Sequence, residues 1–458
     1  MAGRFHGVDP RTVERLLVLG QAASVAGLRI GRTNFFLIMV AARLCAGVTF
    51  DDAAPILRAR CQSCHSPGEV APMPLRTYEE ARPWAKAIRE SVRLRRMPPW
   101  HADPAASHEF EDERRLSERE IATLAAWAEE GAKPGAASGK TTSPVPPRAW
   151  KLGEPDFVAR IPEYKVAPSG AMAYTFLIVP TGFARDTWIR AVEFRIDQRA
   201  VVHHINVYAR APQSSYLRSY PKGELFVPTK TDRPAPLDRE SIFDAQQFLA
   251  GYEPGYVPSP WGLGRGKLIK AGSDIIVQVH YTANGKETID SSEAALYAAA
   301  TPPAERMISL EVKNSALRIP PGDPYYLSEA SVEVARPLKI VSLQPHMHLR
   351  GKAMDIRVRY PGGGTDSLLS VPRYDFNWQT IYRLRDPVTL PAGAKIETVA
   401  HFDNSANNPH NPDPSKTVGW GEQTWDEMHI GFIELAVPAD TDPDTLIVGL
   451  RKHRKEQP

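Results

Sequence analysis

Cysteine is scarce in this chain, with three in 458 residues: Cys45, Cys61 and Cys64. A disulfide framework is therefore excluded, and packing must hold the fold together. An excess of one charge is also missing. Lys and Arg number 56 against 53 Asp and Glu, a formal net charge of +3. That balance argues against a nucleic-acid partner, which needs a concentrated basic face. Long apolar runs are missing too. Phe35 to Ala42 falls well short of the roughly 20 residues that span a bilayer, so no stable membrane span is expected.

What is present suits several domains. The length predicts two or three of them, and a mean hydropathy of −0.34 with 24% charged residues is a globular composition. Proline (42) and glycine (31) are frequent enough for many short strands joined by turns. Near the N-terminus, Arg29 and Arg32 precede the Phe35 to Ala42 run, and small residues follow at Cys45, Ala46 and Gly47. The pattern resembles a signal peptide cleaved near residue 47, and predicts export to the periplasm or cell envelope. An amphipathic extension, or an upstream start that adds residues 1 to about 30, would leave the same pattern.

Three textures follow. Residues 50–135 read as helical, with capping boxes at Thr77-x-x-Glu80 and Ser117-x-x-Glu120. Pro83 fits the first turn of a helix running to about Arg96. Ile121, Leu124, Ala125 and Ala128 keep helical spacing up to a stop at Gly131. The charge run Glu109 to Glu120 reads as a solvated face. Residues 136–150 are a linker by composition. Beyond it, alternating or briefly apolar segments predict strands at Tyr174–Val179, Trp188–Ile196, Val201–Tyr208, Asp274–Tyr281, Lys339–Leu343, Ala353–Tyr360, Lys395–His401 and His429–Leu435. Spread over about 300 residues, they predict two β-sandwich domains in series.

Cys61-Gln62-Ser63-Cys64-His65 is the pattern that attaches a c-type haem: two thiols add to the vinyl groups and the histidine ligates iron. A thioredoxin-like CxxC would want a βαβ context, whereas this one follows a helical segment, Ala53 to Arg60. A zinc site would need more cysteines. For the second axial ligand, Met97 in Arg96-Met97-Pro98-Pro99-Trp100 sits on a proline-stiffened loop, with Met73 and His101 as rivals.

Five further histidines fall in three strand contexts: Val202-His203-His204-Ile205, Gln278-Val279-His280-Tyr281 and His346-Met347-His348. His346 and His348, two apart on a strand, share a face. Adjacent His203 and His204 would point apart on a regular strand, so a common ion requires a bulge or different ring nitrogens. Imidazoles without cysteine suit copper or zinc, and a thioether favours Cu(I). Met428, in Trp425-Asp426-Glu427-Met428-His429, would by itself read as core.

Taken in order, the HH pair, the turns from Gly251 to Pro260 leading into His280, the HxH and Asp426-Glu427-Met428 resemble the copper type II, ascorbate-dependent monooxygenases. This is the family of peptidylglycine α-hydroxylating and dopamine β-monooxygenases. The resemblance spans about residues 155–440. It implies two all-β jelly-roll domains, at 151–305 and 306–458. They would follow a signal-like segment (1–49), a small all-α cytochrome c domain (50–135) and the linker. It also implies two coppers: an electron-supplying one on His203, His204 and His280, and an oxygen-binding one on His346, His348 and Met428. The segment carrying CxxCH looks like the cytochrome c module found ahead of such domains in bacterial proteins.

Departures narrow the expectation. Where peptide-amidating members carry a substrate-binding Arg two residues before HxH, this chain has Gln344. Ile430 and Phe432 stand in place of their Asn and Tyr. Neither peptide amidation nor catecholamine synthesis carries over. The expected activity is C–H hydroxylation of an unidentified small molecule or peptide with dioxygen. Electrons would come from an ascorbate-like reductant or a redox protein and be relayed by the haem, with Arg93, Arg95 and Arg96 as a possible donor-docking edge. The alternatives are an electron-transfer or copper-binding protein without turnover, and a zinc-loaded module. Asp426 and Glu427 are expected to orient ligands and His429 to point away. Tyr374, Trp378 and Trp425 would line a cleft or pack as core, and His401 and His410 would shape the second site or cap turns.

Overall fold

The computed structural model describes residues 47–67, 69–111, 113–136, 150–228, 243, 246–254, 261–421 and 423–449. The signal-like segment lies almost wholly outside them, as do most of the linker and part of the Gly251 to Pro260 turn region. The chain is mostly β, 38% strand against 12% helix. No helix among the described residues is long and apolar enough to cross a membrane.

Among the described residues four helices precede the strands: α1 (Phe50–Arg60), α2 (Tyr78–Ala81), α3 (Ala85–Arg93) and α4 (Glu118–Glu129). Both expected capping boxes are in place, and Thr49 with Asp52 forms a third at the start of α1. Each satisfies amide donors that the first helical turn leaves unpaired. Pro83 lies in a 3-10 turn, Arg82–Trp84, between α2 and α3. Instead of reaching Arg96, α3 stops at Arg93, because Arg95 takes a left-handed φ of 52°. α4 gives way to Gly131, whose φ of 93° suits a residue without a Cβ. Phe50, Leu57, Leu75, Ile88, Val92, Leu124 and Trp127 form the shared core.

Among the described residues twenty-one strands follow, numbered in chain order, and each of the eight expected strands is among them. One eight-stranded sheet runs β1 (Phe157–Arg160), β11 (Glu293–Ala298), β4 (Thr187–Arg195), β8 (Arg265–Ile269), β12 (Glu305–Lys313), β21 (Ile430–Pro438), β15 (Leu338–His346), β18 (Tyr382–Leu390). Its first half is faced by β6 (Leu225–Phe226), β3 (Thr175–Pro180), β9 (Asp274–Tyr281), β5 (Val202–Arg210) and β7 (Gln247–Tyr252). Its second half is faced by β14 (Tyr326–Glu333), β19 (Lys395–Phe402), β16 (Gly351–Arg359) and β17 (Thr365–Val371). Two short pairs complete the set: β2 (Tyr164–Val166) with β10 (Thr288–Asp290), and β13 (Arg318–Ile319) with β20 (Val418–Gly419). Each half encloses its own apolar core. The two sandwiches nonetheless share a sheet, joined where β8 and β12 pair in parallel at Arg265–Glu305 and Gly266–Arg306.

Residues 100–111 leave the helical unit and enter the second sandwich. Trp100, Ala102 and Phe110 join its core. Backbone bonds run from Asp103 to Ser370, His108 to Leu368 and Glu111 to Arg383. At the start of the Glu109 to Glu120 run, Glu109 is exposed, as a solvated face requires, while pairing with Arg385; Phe110 departs from it, being buried and bridging Leu384. Those partners lie some 270 residues downstream, beyond any local pattern.

Candidate functional site

His204 on β5 stands opposite His280 on β9, and the ladder slips between Val202 and His204. His203 is the extra residue at that slip, so both neighbours can turn to one side. The three rings lie 5.1–5.4 Å apart between centroids, with one ligand atom from each within 4.8 Å of the others. The Nδ1 atoms of His203 and His204 are 3.1 Å apart. Nε2 of His203 and Nδ1 of His280 are buried with no partner. Tyr174 packs edge-on against His204 and His280, at 5.3 and 4.6 Å. Burial pushes the pKa of His203 down to about 4 and that of His280 to about 3. His204 falls well below its ordinary value, by burial and then the neighbouring imidazoles. All three are neutral at pH 7, with lone pairs available to a cation.

His346 is the last residue of β15, and His348 lies just past the strand end. Regular alternation therefore does not hold the pair together, as the sequence suggested; the surrounding loops do. Nδ1 of His346 pairs with Gln379 Oε1 at 2.6 Å, and Nδ1 of His348 with the Asp426 carbonyl at 3.3 Å. Each contact leaves an Nε2 to point elsewhere, and that of His348 is buried without a partner. Glu427 is the clamp: its carboxylate accepts from the amides of His348 (2.9 Å), Arg350 (2.6 Å) and Met428 (3.3 Å). It ties the HxH turn to the methionine segment, the orienting part expected of it. Tyr374 Oη accepts from the Met347 amide and donates to the Met347 carbonyl, at 3.1 and 2.7 Å. His346 and His348 rings are 5.2 Å apart.

A cavity of about 400 Å³ between the sandwiches is lined by one histidine of the first set and both of the second. His204 comes from one wall, and His346, His348 and Met428 from the other. Phe376 spans the gap, its centroid 5.3 Å from His203, 6.2 Å from His280 and 6.0 Å from His348. The remaining lining is aromatic and amide-rich, including Tyr208, Phe248, Tyr252, Trp420, Phe432 and Gln344. Tyr374, Trp378 and Trp425, the aromatics singled out from sequence, are not in that lining. His429 points away, its Nδ1 2.8 Å from Ser328 Oγ. His401 stacks on Tyr325 at 4.2 Å, and the backbone amide of His410 donates to Asn408 Oδ1 in a turn. Sequence reasoning missed Gln379, Phe376 and Tyr174, which carry no motif.

The CxxCH residues follow the last turn of α1. His65 and Cys64 donate their amides to the Cys61 carbonyl, at 2.9 and 3.1 Å. Nδ1 of His65 is 3.1 Å from the Met73 carbonyl, which directs its Nε2 outward as an iron ligand needs. Both thiols are free. Burial pushes the Cys61 pKa up to about 12 and raises that of Cys64. Reactive redox CxxC pairs have the opposite shift. Met73 packs with the core around Cys61. Met97 and His101 line a separate cavity, with Leu116 and Arg373. Arg93 pairs with Glu129, Arg95 with Glu118 and Arg96 with Glu90, so the basic edge is neutralised by its own helices.

Fold and site thus define a β-rich protein with two histidine sets across a buried cavity. No family model matches the chain, and no curated protein matches it. Among solved structures, allantoicase aligns at 13% identity over 54% of this chain and 83% of that one, with a TM-score of 0.16. Infectious bursal virus derived T=1 particles align at 9% identity over 64% and 72%, with a TM-score of 0.18. The stem and receptor-binding domain of spike protein P1 from bacteriophage PM2 aligns at 8% identity over 59% and 99%, with a TM-score of 0.13. Likeness at these scores carries no argument about fold or activity.

Proposed function

We propose that this chain is a copper-dependent monooxygenase that hydroxylates a C–H bond, with a c-type haem on Cys61, Cys64 and His65 as its electron relay. The helical unit is then a cytochrome c domain and the sandwiches are jelly rolls, in a protein exported to the periplasm or cell envelope. The observation that carries the reading is a three-imidazole cluster on one side of a cavity and His346, His348 and Met428 on the other, with buried ring nitrogens on His203 and His280 that have no partner among the described residues. Buried polar atoms are normally paired, so orphaned ones in a cluster point to an ion. The donors suit copper: three neutral imidazoles in one set, and two imidazoles with the Met428 thioether in the other. When bound, copper would supply the one-electron chemistry that activates dioxygen, and haem iron the electron delivered to it.

The chain's own residues do the rest. Gln379 and the Asp426 carbonyl fix the tautomers of His346 and His348, while Glu427 holds Met428 beside them. Phe376 fills the space between the sets and keeps water from it. Phe248 and Phe432, stacked 5.8 Å apart, offer an apolar substrate two faces to lie against. Gln344, whose Nε2 donates to the Gln379 carbonyl, brings no charge to anchor a carboxylate. Lys313, the cation in the same lining, is paired with Glu311, so the lining favours a small uncharged substrate over a peptide terminus; an electron-transfer or copper-binding protein without turnover would have the same lining.

Metal analysis and oxygen uptake decide. The monooxygenase reading expects one haem and two coppers per chain, and ascorbate-driven oxygen consumption that His346→Ala abolishes while haem is retained. Both metals bound with no consumption would establish the carrier, and zinc in place of copper would sink both readings.

A further inference from the structure

We propose that Arg199 and Tyr252 form a fixed electron-transfer seam between the haem-attachment motif and the histidine cavity, so that the electron crosses within one rigid molecule. The inference rests on the haem and copper reading above. Glu69, just past the CxxCH motif, pairs with Arg199 at 3.3 Å. The Arg199 guanidinium lies over the Tyr252 ring, 5.9 Å from its centroid. The Glu69 amide donates to the Ser66 carbonyl at 3.0 Å and the Ala71 amide to the Cys64 carbonyl at 3.2 Å, which folds this segment back onto the motif. The seam therefore begins beside the residues that would carry the haem.

At its other end the seam meets the copper ligands. Arg199 sits in the turn entering β5, where the Gln198 carbonyl accepts from the amides of Val201 and Val202, immediately before His203 and His204. Tyr252, 2% exposed, stands opposite Ile205 in the β5–β7 ladder, next to His204. It also lines the cavity that His204 and His346 share. The route is thus Glu69 beside the motif, Arg199, the Tyr252 ring and the backbone pairing of Tyr252 with Ile205, the residue after His204.

A second anchor makes the arrangement rigid. The Trp100 to Phe110 strap is built into the second sandwich, while Glu69–Arg199 holds the first. With both engaged, the helical unit is anchored to both sandwiches. With haem on Cys61, Cys64 and His65 and copper on His203, His204 and His280, the seam would carry one electron from the reduced haem to the oxidised copper, the haem being oxidised and the copper reduced by one electron each. No bond or proton changes hands, and an external reductant such as ascorbate restores the haem.

The test uses the haem- and copper-loaded full chain without oxygen, its haem reduced by a deazaflavin flash and followed by absorbance. The expected decay of ferrous haem is first order, independent of protein concentration and unchanged by added glycerol. Tyr252→Leu should slow it by an order of magnitude or more, with Tyr252→Phe close to the parent. Arg199→Leu should slow it too and, in copper-free protein, lower the haem reduction potential, while Arg199→Lys restores both. Unchanged decay in folded Tyr252→Leu and Arg199→Leu proteins that keep haem and copper would overturn the seam and leave the functional reading standing. Viscosity-dependent decay in the parent would overturn it equally. Where Tyr252→Leu does not fold, the Arg199 pair decides alone. Protein that binds no haem or no copper, or decay no faster with copper than without, defeats the functional reading and the seam together.

Discussion

Glu253 ends the β7 segment in the wall of the histidine cavity. Its Oε1 accepts from the Ile381 amide at 3.0 Å, whereas Oε2 is buried and has no partner among the described residues. Burial pushes its pKa from 4.5 up to about 8, against the opposing pull of Arg114 and Arg383. The carboxyl is therefore protonated in the folded chain at pH 7, and ionised once the chain unfolds. Between about pH 4.5 and 8 the unfolded state holds fewer protons than the folded one, so rising pH favours unfolding through this group. Glu253→Gln removes the term. Its Tm relative to the parent should rise steadily across that window and level off above it, in metal-free protein followed by circular dichroism. A constant Tm difference from pH 5 to 8 would refute the assignment. Such a group is invisible in sequence, where Glu253 is one acid in a turn-rich stretch. The same holds for Gln379 and Phe376, which reach His346 and His203 from a loop distant in the chain. His203 and His204 were different. Adjacency on a strand required an irregularity, and the register slip beside Val202 supplies it.

At the scale of elements, strands were the most legible feature, because alternation reports burial on a sheet face directly. Asp274–Tyr281 matches β9 at both ends, and the other expected strands overlap their observed counterparts within a few residues. Capping boxes were equally plain, since their partners lie three residues apart. The 100–111 strap was not legible, because its meaning lies in what it touches. Trp100 packs edge-on and Phe110 at a tilt against Tyr382, at 4.9 and 5.2 Å between centroids, inside a core built, Phe243 apart, from residues beyond 300. Phe110 is 2% exposed. Removing a fully buried phenylalanine ring costs about 3–5 kcal/mol, from lost burial and the cavity left behind. Phe110→Ala should therefore destabilise the second sandwich by that amount, measured by urea denaturation with Trp fluorescence. Loss confined to the helical unit, with the β transition unmoved, would show that the strap is not part of that core.

The whole molecule depends on how its two sandwiches are joined, and the sequence suggested only domains in series. The shared sheet makes them one body, and Lys267 is buried at the joint with 0% exposure. From β8 in the first sandwich its ammonium bonds the Phe248 and Leu249 carbonyls at 2.8 and 3.2 Å. It also reaches Ser309 Oγ on β12 at 2.8 Å and Glu434 Oε1 on β21 at 2.9 Å. Burial lowers the Lys267 pKa, and Glu434 holds it up. A charge pair this deep is a weak source of net stability, because desolvating both ions offsets most of their attraction, yet losing one partner leaves the other uncompensated. Lys267→Met should thus cost about 3–5 kcal/mol, while Lys267→Met with Glu434→Leu should recover most of the loss. The location predicts more than the magnitude. Because the strained carboxylate in the single variant sits on the second sandwich alone, the joint should yield before either core does. Calorimetry should then resolve two transitions where the parent gives one, with the histidine cavity opening in the first. One cooperative transition in the Lys267→Met protein, merely shifted down, would mean that the cores and not the joint set the unit of folding.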